Sequence, residues 1–148
     1  MPMWVIYHSS STFTSATEKS ALATDITKIY TAGGLPPFYV CVHFIPLSPS
    51  NFYSSMNEPV PMVRITIQNI ARTIQSDAHR DNFLARVDTA LKPHIEDKGY
   101  DWEYSVLETS RDLWKINGIV PPMPVTEAEG LWKKRNKAVP FEREKGGL

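Results

Sequence analysis

The sequence predicts an α+β fold in which two successive β-α-β units make a four-stranded sheet with two helices on one face, followed by an extended C-terminal tail. Three observations predict it. Residues 63 to 70 read Val-Arg-Ile-Thr-Ile-Gln-Asn-Ile, the period-two alternation of a strand with one buried face. Two serine helix caps, Ser15 and Ser76, lie 61 positions apart. Strand starts at Phe38 and Trp102 lie 64 positions apart, so one pattern is met twice. Strands joined through a helix run parallel with a right-handed crossover, which puts both helices on the same side of the sheet. One domain over residues 1–148 is expected, with a first unit at 2–45, a loop at 46–61, a second unit at 62–108 and a C-terminal segment and tail at 109–148.

Each element has its own signal. Met3 to Tyr7, aromatic and β-branched, reads as the first strand, and the polar stretch Ser9 to Thr12 ends it. Ser15 and Glu18 form a capping box for a helix with Leu22, Ile26 and Ile29 at helical spacing, stopped by Gly33-Gly34. Past Pro36-Pro37 the second strand runs from Phe38 to Ile45. Four prolines among serines and asparagines, Pro46, Pro49, Pro59 and Pro61, mark a connecting loop. After the strand at 63–70, Ser76 caps a helix whose Phe83, Leu84, Val87 and Leu91 form an apolar stripe, and Pro93 ends or kinks it. Trp102 to Leu107 is the fourth strand. In the tail, Thr126 to Trp132 suits a short helix too small for a core of its own, so it wraps the body or a neighbouring subunit.

Composition narrows the function. The chain has 148 residues, 42% apolar and 22% charged, with 16 basic and 16 acidic side chains. A zero balance supplies no general pull toward nucleic acid or anionic lipid, so neither is expected as a partner. The lone cysteine, Cys41, sits in the apolar run Phe38 to Val42 and is read as a packed thiol in a reducing, cytoplasmic setting. The apolar stretch Met3 to Tyr7 is too short for a signal or a membrane span. His8, His43, His79 and His94 show no metal-ligand spacing, and Gly33-Gly34 closes a helix instead of cradling a phosphate, so no metal or cofactor is expected.

Pro2 is the candidate reactive group. Removal of Met1 leaves a secondary amine at the chain start, and an α-amino group already titrates at about 7.7–8.0. Neighbouring cations or burial lower it further, which makes it a general base near neutral pH. A Met1–Pro2 amide has neither the lone pair nor the proton, so the chemistry depends on that removal.

A Met-Pro start directly on a strand, two β-α-β units of about sixty residues, and Arg72 just after the third strand together resemble the tautomerase superfamily. The resemblance covers residues 2 to about 121 and is nearest to the cis-3-chloroacrylic acid dehalogenase branch. The tail segments Gly118 to Pro122 and Ala138 to Phe141 are similar to fungal tautomerase-like proteins grouped near that branch. The resemblance implies that Pro2 is the amino-terminal proline of the reaction, Arg72 the arginine that binds the substrate carboxylate, and Tyr104 the tyrosine that meets substrate or a developing enolate oxygen. Read from the residues alone, Arg72 is a solvent-facing strand-end arginine and Tyr104 is core packing with a wet tip. Three positions depart from the branch: Tyr30 stands for its histidine, Gln75 for its second arginine and Lys115 for its water-activating glutamate. Lys115 is either solvated or a cation that binds carboxylate and keeps Pro2 neutral.

Two functions follow from the resemblance. The first is a cofactor-independent enzyme acting on a small 2-oxo or unsaturated carboxylic acid, tautomerising it with weak or no hydratase and dehalogenase action, and assembled as a homotrimer. Its pocket holds Pro2 and Tyr104, with Arg72, Tyr30, Gln75 and Lys115 binding substrate. The second is a catalytically silent member kept as a structural or binding protein.

Overall fold

A computed structural model describes residues 1–53 and 62–148. Its four strands are β1 (Met3–Ser9), β2 (Cys41–Leu47), β3 (Met62–Asn69) and β4 (Asp101–Glu108), and its helices are α1 (Ala16–Thr31), α2 (Asp77–Leu91) and α3 (Glu127–Arg135). The sheet order is β2-β1-β3-β4. β1 and β2 are parallel, β3 and β4 are parallel, and the two pairs meet through antiparallel β1 and β3. This is the architecture the repeated pattern predicts.

Alternation decides the faces. Trp4, Ile6 and His8 of β1 and Val63, Ile65 and Ile67 of β3 are buried beneath α1 and α2, while Met3, Val5 and Tyr7 on the other face are only partly covered. α1 contributes Leu22, Ile26, Ile29 and Tyr30 to that core, and α2 contributes Phe83, Val87 and Leu91. The helices touch through the Tyr30 and Phe83 rings, 6.1 Å apart, and the 3₁₀ turn that follows α2 adds a contact from His94 to Asp25 of α1 at 2.8 Å.

The caps form as their sequences dictate. The Glu18 N–H donates to Ser15 Oγ at 3.1 Å and the Ser15 N–H donates back to Glu18 at 3.3 Å, while Ser76 Oγ accepts from the His79 N–H at 3.1 Å. Two boundaries differ from the sequence reading. The strand expected from Phe38 starts at Cys41, because Pro37, Phe38 and Tyr39 form a 3₁₀ turn in which proline's fixed φ suits the first position. The same strand continues through Pro46, which the sequence assigns to a loop. β2 is an edge strand, where a missing N–H is tolerated. Of the loop expected at 46–61, residues 54–61 lie outside the described residues.

The tail wraps this chain's own body. Thr126 caps α3, accepting from the Glu129 N–H at 3.2 Å, and Trp132 is fully buried against Phe38, Tyr39 and Phe141. Asn136, in the left-handed conformation that ends α3, accepts from the Phe38 N–H at 2.9 Å. Gly146 has no room for a side chain, since a Cβ there would stand 2.0 Å from the Phe141 ring.

Candidate active site

Strand directions gather one set of side chains at one edge of the sheet. β1 starts there, and its Met3 faces Gln68 at the end of β3 and Cys41 at the start of β2. The parallel pair β3 and β4 therefore end at that edge too. Met1 and Pro2, Tyr39 just before β2, Arg72 three residues past β3 and Arg111 three residues past β4 all lie at this edge. The return of α1 and the start of α2 add Tyr30 and Gln75.

Pro2 is buried, and its carbonyl accepts from the Cys41 N–H at 3.0 Å, which extends the β1–β2 ladder to the chain start. The α-amine, which belongs to Met1, is lowered from its ordinary value near 8.0 to about 4. Burial is the largest cause and the Arg111 guanidinium the next, with Cys41 opposing them.

After β3 the chain turns at Ala71, whose φ is 79°, a costly conformation for a residue with a Cβ. The Asn69 amide holds the turn by donating to the Arg72 carbonyl at 3.2 Å. Arg72 Nη2 donates to Glu129 Oε1 of α3 at 3.0 Å, and Glu129 is 5% exposed. The second Glu129 oxygen accepts from the Val125 N–H at 2.8 Å. That bond holds Val125 at a φ of 62°, where a β-branched residue is strained. The tail thus fixes one side of the Arg72 guanidinium, Nη1 donates to the Ala71 carbonyl at 3.3 Å, and the remaining N–H groups of the five-donor fork are left for a ligand.

Arg111 stands in the 3₁₀ turn Arg111–Leu113. Its guanidinium lies 5.7 Å from the Trp114 ring centre, and Nη2 donates to the Pro121 carbonyl at 2.8 Å. Arg111 Nη1 is buried without a partner. Tyr39 is fully buried, packs edge-on against Trp114 at 5.2 Å, and its hydroxyl also has no partner. Burial first, and then the Glu129 charge, push its pKa up, so the phenol stays protonated.

A cavity of about 480 Å³ opens beside this group. Tyr30, Arg72, Gln75, Phe83, Arg86 and Arg111 are among its lining residues, and none of the lining residues is acidic. Such a wall suits an anionic ligand of small size. Tyr30 presents its ring, since its hydroxyl accepts from Trp4 Nε1 at 2.9 Å. Gln75 is exposed at the rim and donates to the Thr73 carbonyl at 3.1 Å.

Three of the six residues singled out in the sequence, Tyr30, Arg72 and Gln75, therefore line one cavity, and Pro2 lies at the same edge. Tyr104 lies elsewhere. It pairs with Ile65 in the middle of the sheet, donates to Asp88 Oδ1 at 2.9 Å, and lines a separate groove with Arg80, Leu84 and Glu108. Lys115 is exposed and does not line the cavity. Arg111, Tyr39 and Glu129 were not singled out. The signal for Arg111 was present, because an arginine follows each of two adjacent parallel strands by three residues and so returns to one edge. Among the described residues there is no cluster of three metal-ligating side chains, and no helix is long and apolar enough to cross a membrane.

Solved structures share this fold. A crystal structure of a probable enzyme from the thermophilic fungus Aspergillus fumigatus superposes with a TM-score of 0.89 at 46% identity, covering 95% of this chain and 98% of that one. Native RhCC from Rhodococcus jostii RHA1 superposes with a TM-score of 0.90 at 34% identity, over 94% of this chain and 99% of that one. A fused 4-OT, an asymmetric trimer, shares the fold with a TM-score of 0.63 at 16% identity, over 78% and 93%. No curated protein shows significant sequence similarity to the chain. A family model described as "Putative oxalocrotonate tautomerase enzyme" matches residues 1–137. The chain belongs to that tautomerase family.

Proposed function

We propose that the protein is a cofactor-independent tautomerase in which the Pro2 amine, freed by loss of Met1, moves a proton on a small 2-oxo or unsaturated carboxylic acid. The observation that carries this reading is the burial of Pro2 at the edge where Arg72 and Arg111 stand, an edge at which burial first and Arg111 next lower the Met1 amine. Loss of Met1 moves the amine back by one residue within the same edge. An amine that is neutral at pH 7 is a base, and a nearby base held in register with a bound acid removes an α-proton efficiently. Arg72, held by Glu129 on one side, offers its remaining donors to the substrate carboxylate, and Tyr30 and Gln75 shape the cavity around it.

Hydrolytic dehalogenation asks for a carboxylate that activates water. Lys115 stands where the resembling branch has that glutamate, and it is exposed, which supports tautomerisation with little or no action on 3-chloroacrylates. The partly covered sheet face around Met3, Val5 and Tyr7 supports a homotrimer with sheets turned inward, and the fused 4-OT neighbour is itself a trimer.

The test has two steps. Intact mass establishes that Met1 is removed, and enol-to-keto conversion of phenylenolpyruvate is then followed for the processed protein and for Pro2→Ala. The reading expects turnover that Pro2→Ala abolishes. Processed protein with no turnover of enol or acetylenic acids contradicts it and favours a silent binding protein.

A further inference from the structure

Two polar groups at the active edge have no structural explanation. Among the described residues three buried side-chain polar atoms lack a hydrogen-bond partner: Tyr39 Oη, Arg111 Nη1 and, at the opposite edge of the sheet, His8 Nε2. The first two stand together. Tyr39 and Arg111 each act electrostatically on the other, and both pack on Trp114, at 5.2 Å and 5.7 Å. Arg111 also acts on the chain-start amine and lines the cavity, whereas Tyr39 is fully buried beside Trp114 and is not among the lining residues, so its hydroxyl meets a ligand only at the Arg111 side of the cavity. Native structures seldom leave buried polar groups unpaired, so a pair of them at one place asks for a reason.

Their chemistry says what is missing. A guanidinium has only donors, and a tyrosine kept protonated by burial has a hydrogen to give. Both atoms therefore lack an acceptor. Arg72 is spoken for in part, since Glu129 holds one side of it, and it suits a carboxylate that binds equally in substrate and intermediate. An oxygen that becomes anionic during reaction needs different donors, already aimed and already stripped of water.

We infer that Tyr39 and Arg111 are the oxyanion-stabilising pair of the site and that they take the 2-oxo oxygen of a 2-oxo acid as it becomes an enolate oxygen. The Pro2 nitrogen lone pair accepts the C3 proton, the C3–H electron pair forms the C2=C3 double bond, and the carbonyl π pair moves onto oxygen. The charge that leaves the C–H bond arrives between the Tyr39 hydroxyl and Arg111 Nη1. Return of the proton from the Pro2 ammonium to carbon reverses the electron flow and restores the amine. The proton path rests on the proposed role of Pro2; the binding of an oxyanion by Tyr39 and Arg111 does not.

Oxalate is the probe, because it copies the planar enolate of pyruvate and needs no turnover. The processed protein is titrated with oxalate at constant ionic strength, and isothermal calorimetry reads the binding. Tyr39→Phe deletes one oxygen and keeps the ring packing. It is expected to weaken oxalate about tenfold or more while leaving acetate, which lacks the second oxygen group, unchanged. Because the lost hydroxyl has no partner in the fold, the thermal midpoint of Tyr39→Phe should equal or exceed that of the parent, which a merely structural hydroxyl would not allow. Arg111→Lys should weaken oxalate as well. With phenylpyruvate, Tyr39→Phe should lower kcat about 100-fold with KM within about threefold, whereas Arg72→Lys should act mainly on KM. Equal oxalate affinity in the parent and Tyr39→Phe, or a Tyr39→Phe effect confined to KM, overturns the assignment. Oxalate discrimination without any turnover keeps the assignment and rejects Pro2 as base. Turnover that needs Pro2 but is indifferent to Tyr39→Phe does the reverse.

Discussion

The turn that follows β1 and the turn that follows β3 occupy matching places in the two β-α-β units, and they are built from opposite chemistry. After β1 the chain reads Ser10-Ser11-Thr12-Phe13 and closes on itself. Thr12 Oγ1 donates to the Ser9 carbonyl at 2.9 Å, the Ser9 and Ser11 hydroxyls meet at 2.9 Å, and His8 Nδ1 lies 2.8 Å from the Ser9 carbonyl. Burial lowers the His8 pKa, so the ring stays neutral among Phe13 and Phe44. After β3 the turn carries Arg72 instead, and its partner is Glu129, 57 positions along the chain. Both turns contain a residue at positive φ, Phe13 at 48° and Ala71 at 79°. The same backbone device therefore serves a turn hydrogen-bonded within itself in one unit and a cation held open to a cavity in the other. Even the openings of the units rhyme, Pro2-Met3 and Pro61-Met62, but only the first proline can become an amine.

The strongest way to break this comparison is to remove the amine. Pro2→Ala in processed protein should cost about 10²- to 10⁴-fold in kcat for phenylenolpyruvate, the range for losing a positioned general base, while Thr12→Val in the opposite turn should leave kcat within about twofold. Equal losses from both would show that the two edges do not differ in kind.

Arg72→Ala is next. It should lower kcat/KM by about 2–4 kcal/mol, the range for truncating one member of a desolvated charge pair, and steady-state kinetics reads it directly. A change within twofold would make Arg72 a strut for the tail and nothing more.

Thr12→Val sharpens the comparison from the side of stability. It removes the donor to the Ser9 carbonyl and a neighbour of His8 Nδ1, and should lower unfolding free energy by about 1–3 kcal/mol in urea titrations.

The smallest effect is expected at Asp25, on α1 away from either turn. The Lys28 ammonium first and His94 second hold its carboxyl below the usual range. A depressed carboxylate adds stability that is complete above the ordinary carboxylate pKa and is lost as pH falls through its lowered folded value. Asp25→Asn should therefore cost under about 1 kcal/mol near pH 6, with the difference from the parent shrinking toward pH 3.

Much of this was legible in the chain. Periodicity and caps are local, so Ser15, Ser76 and the alternation of 63–70 located their elements within a few residues. Pro36-Pro37 misplaced the start of β2, because a proline pair suits both an extended lead-in and a 3₁₀ turn, and only packing of Tyr39 against Trp114 and Trp132 selects the turn. The active edge was half legible. Pro2 and Arg72 adjoin strand ends, where local pattern and resemblance meet. Glu129 was not, since an acidic residue in the first turn of a short helix is the ordinary complement to its dipole. Only its burial against Arg72 marks it. Tyr39 was hidden for a related reason: a strand-side aromatic is usually core, and a hydroxyl left without a partner has no sequence signature.

The central claim is that burial first, and the Arg111 cation beside it, keep the chain-start amine neutral, and a ¹⁵N NMR titration of the Pro2 nitrogen in protein processed at Met1 tests it most directly. The account predicts an amine pKa below about 7, under the ordinary α-amino range, and a rise when Arg111 is replaced by Gln and its charge is lost. An amine titrating at or above its ordinary value, or one indifferent to Arg111→Gln, would contradict it.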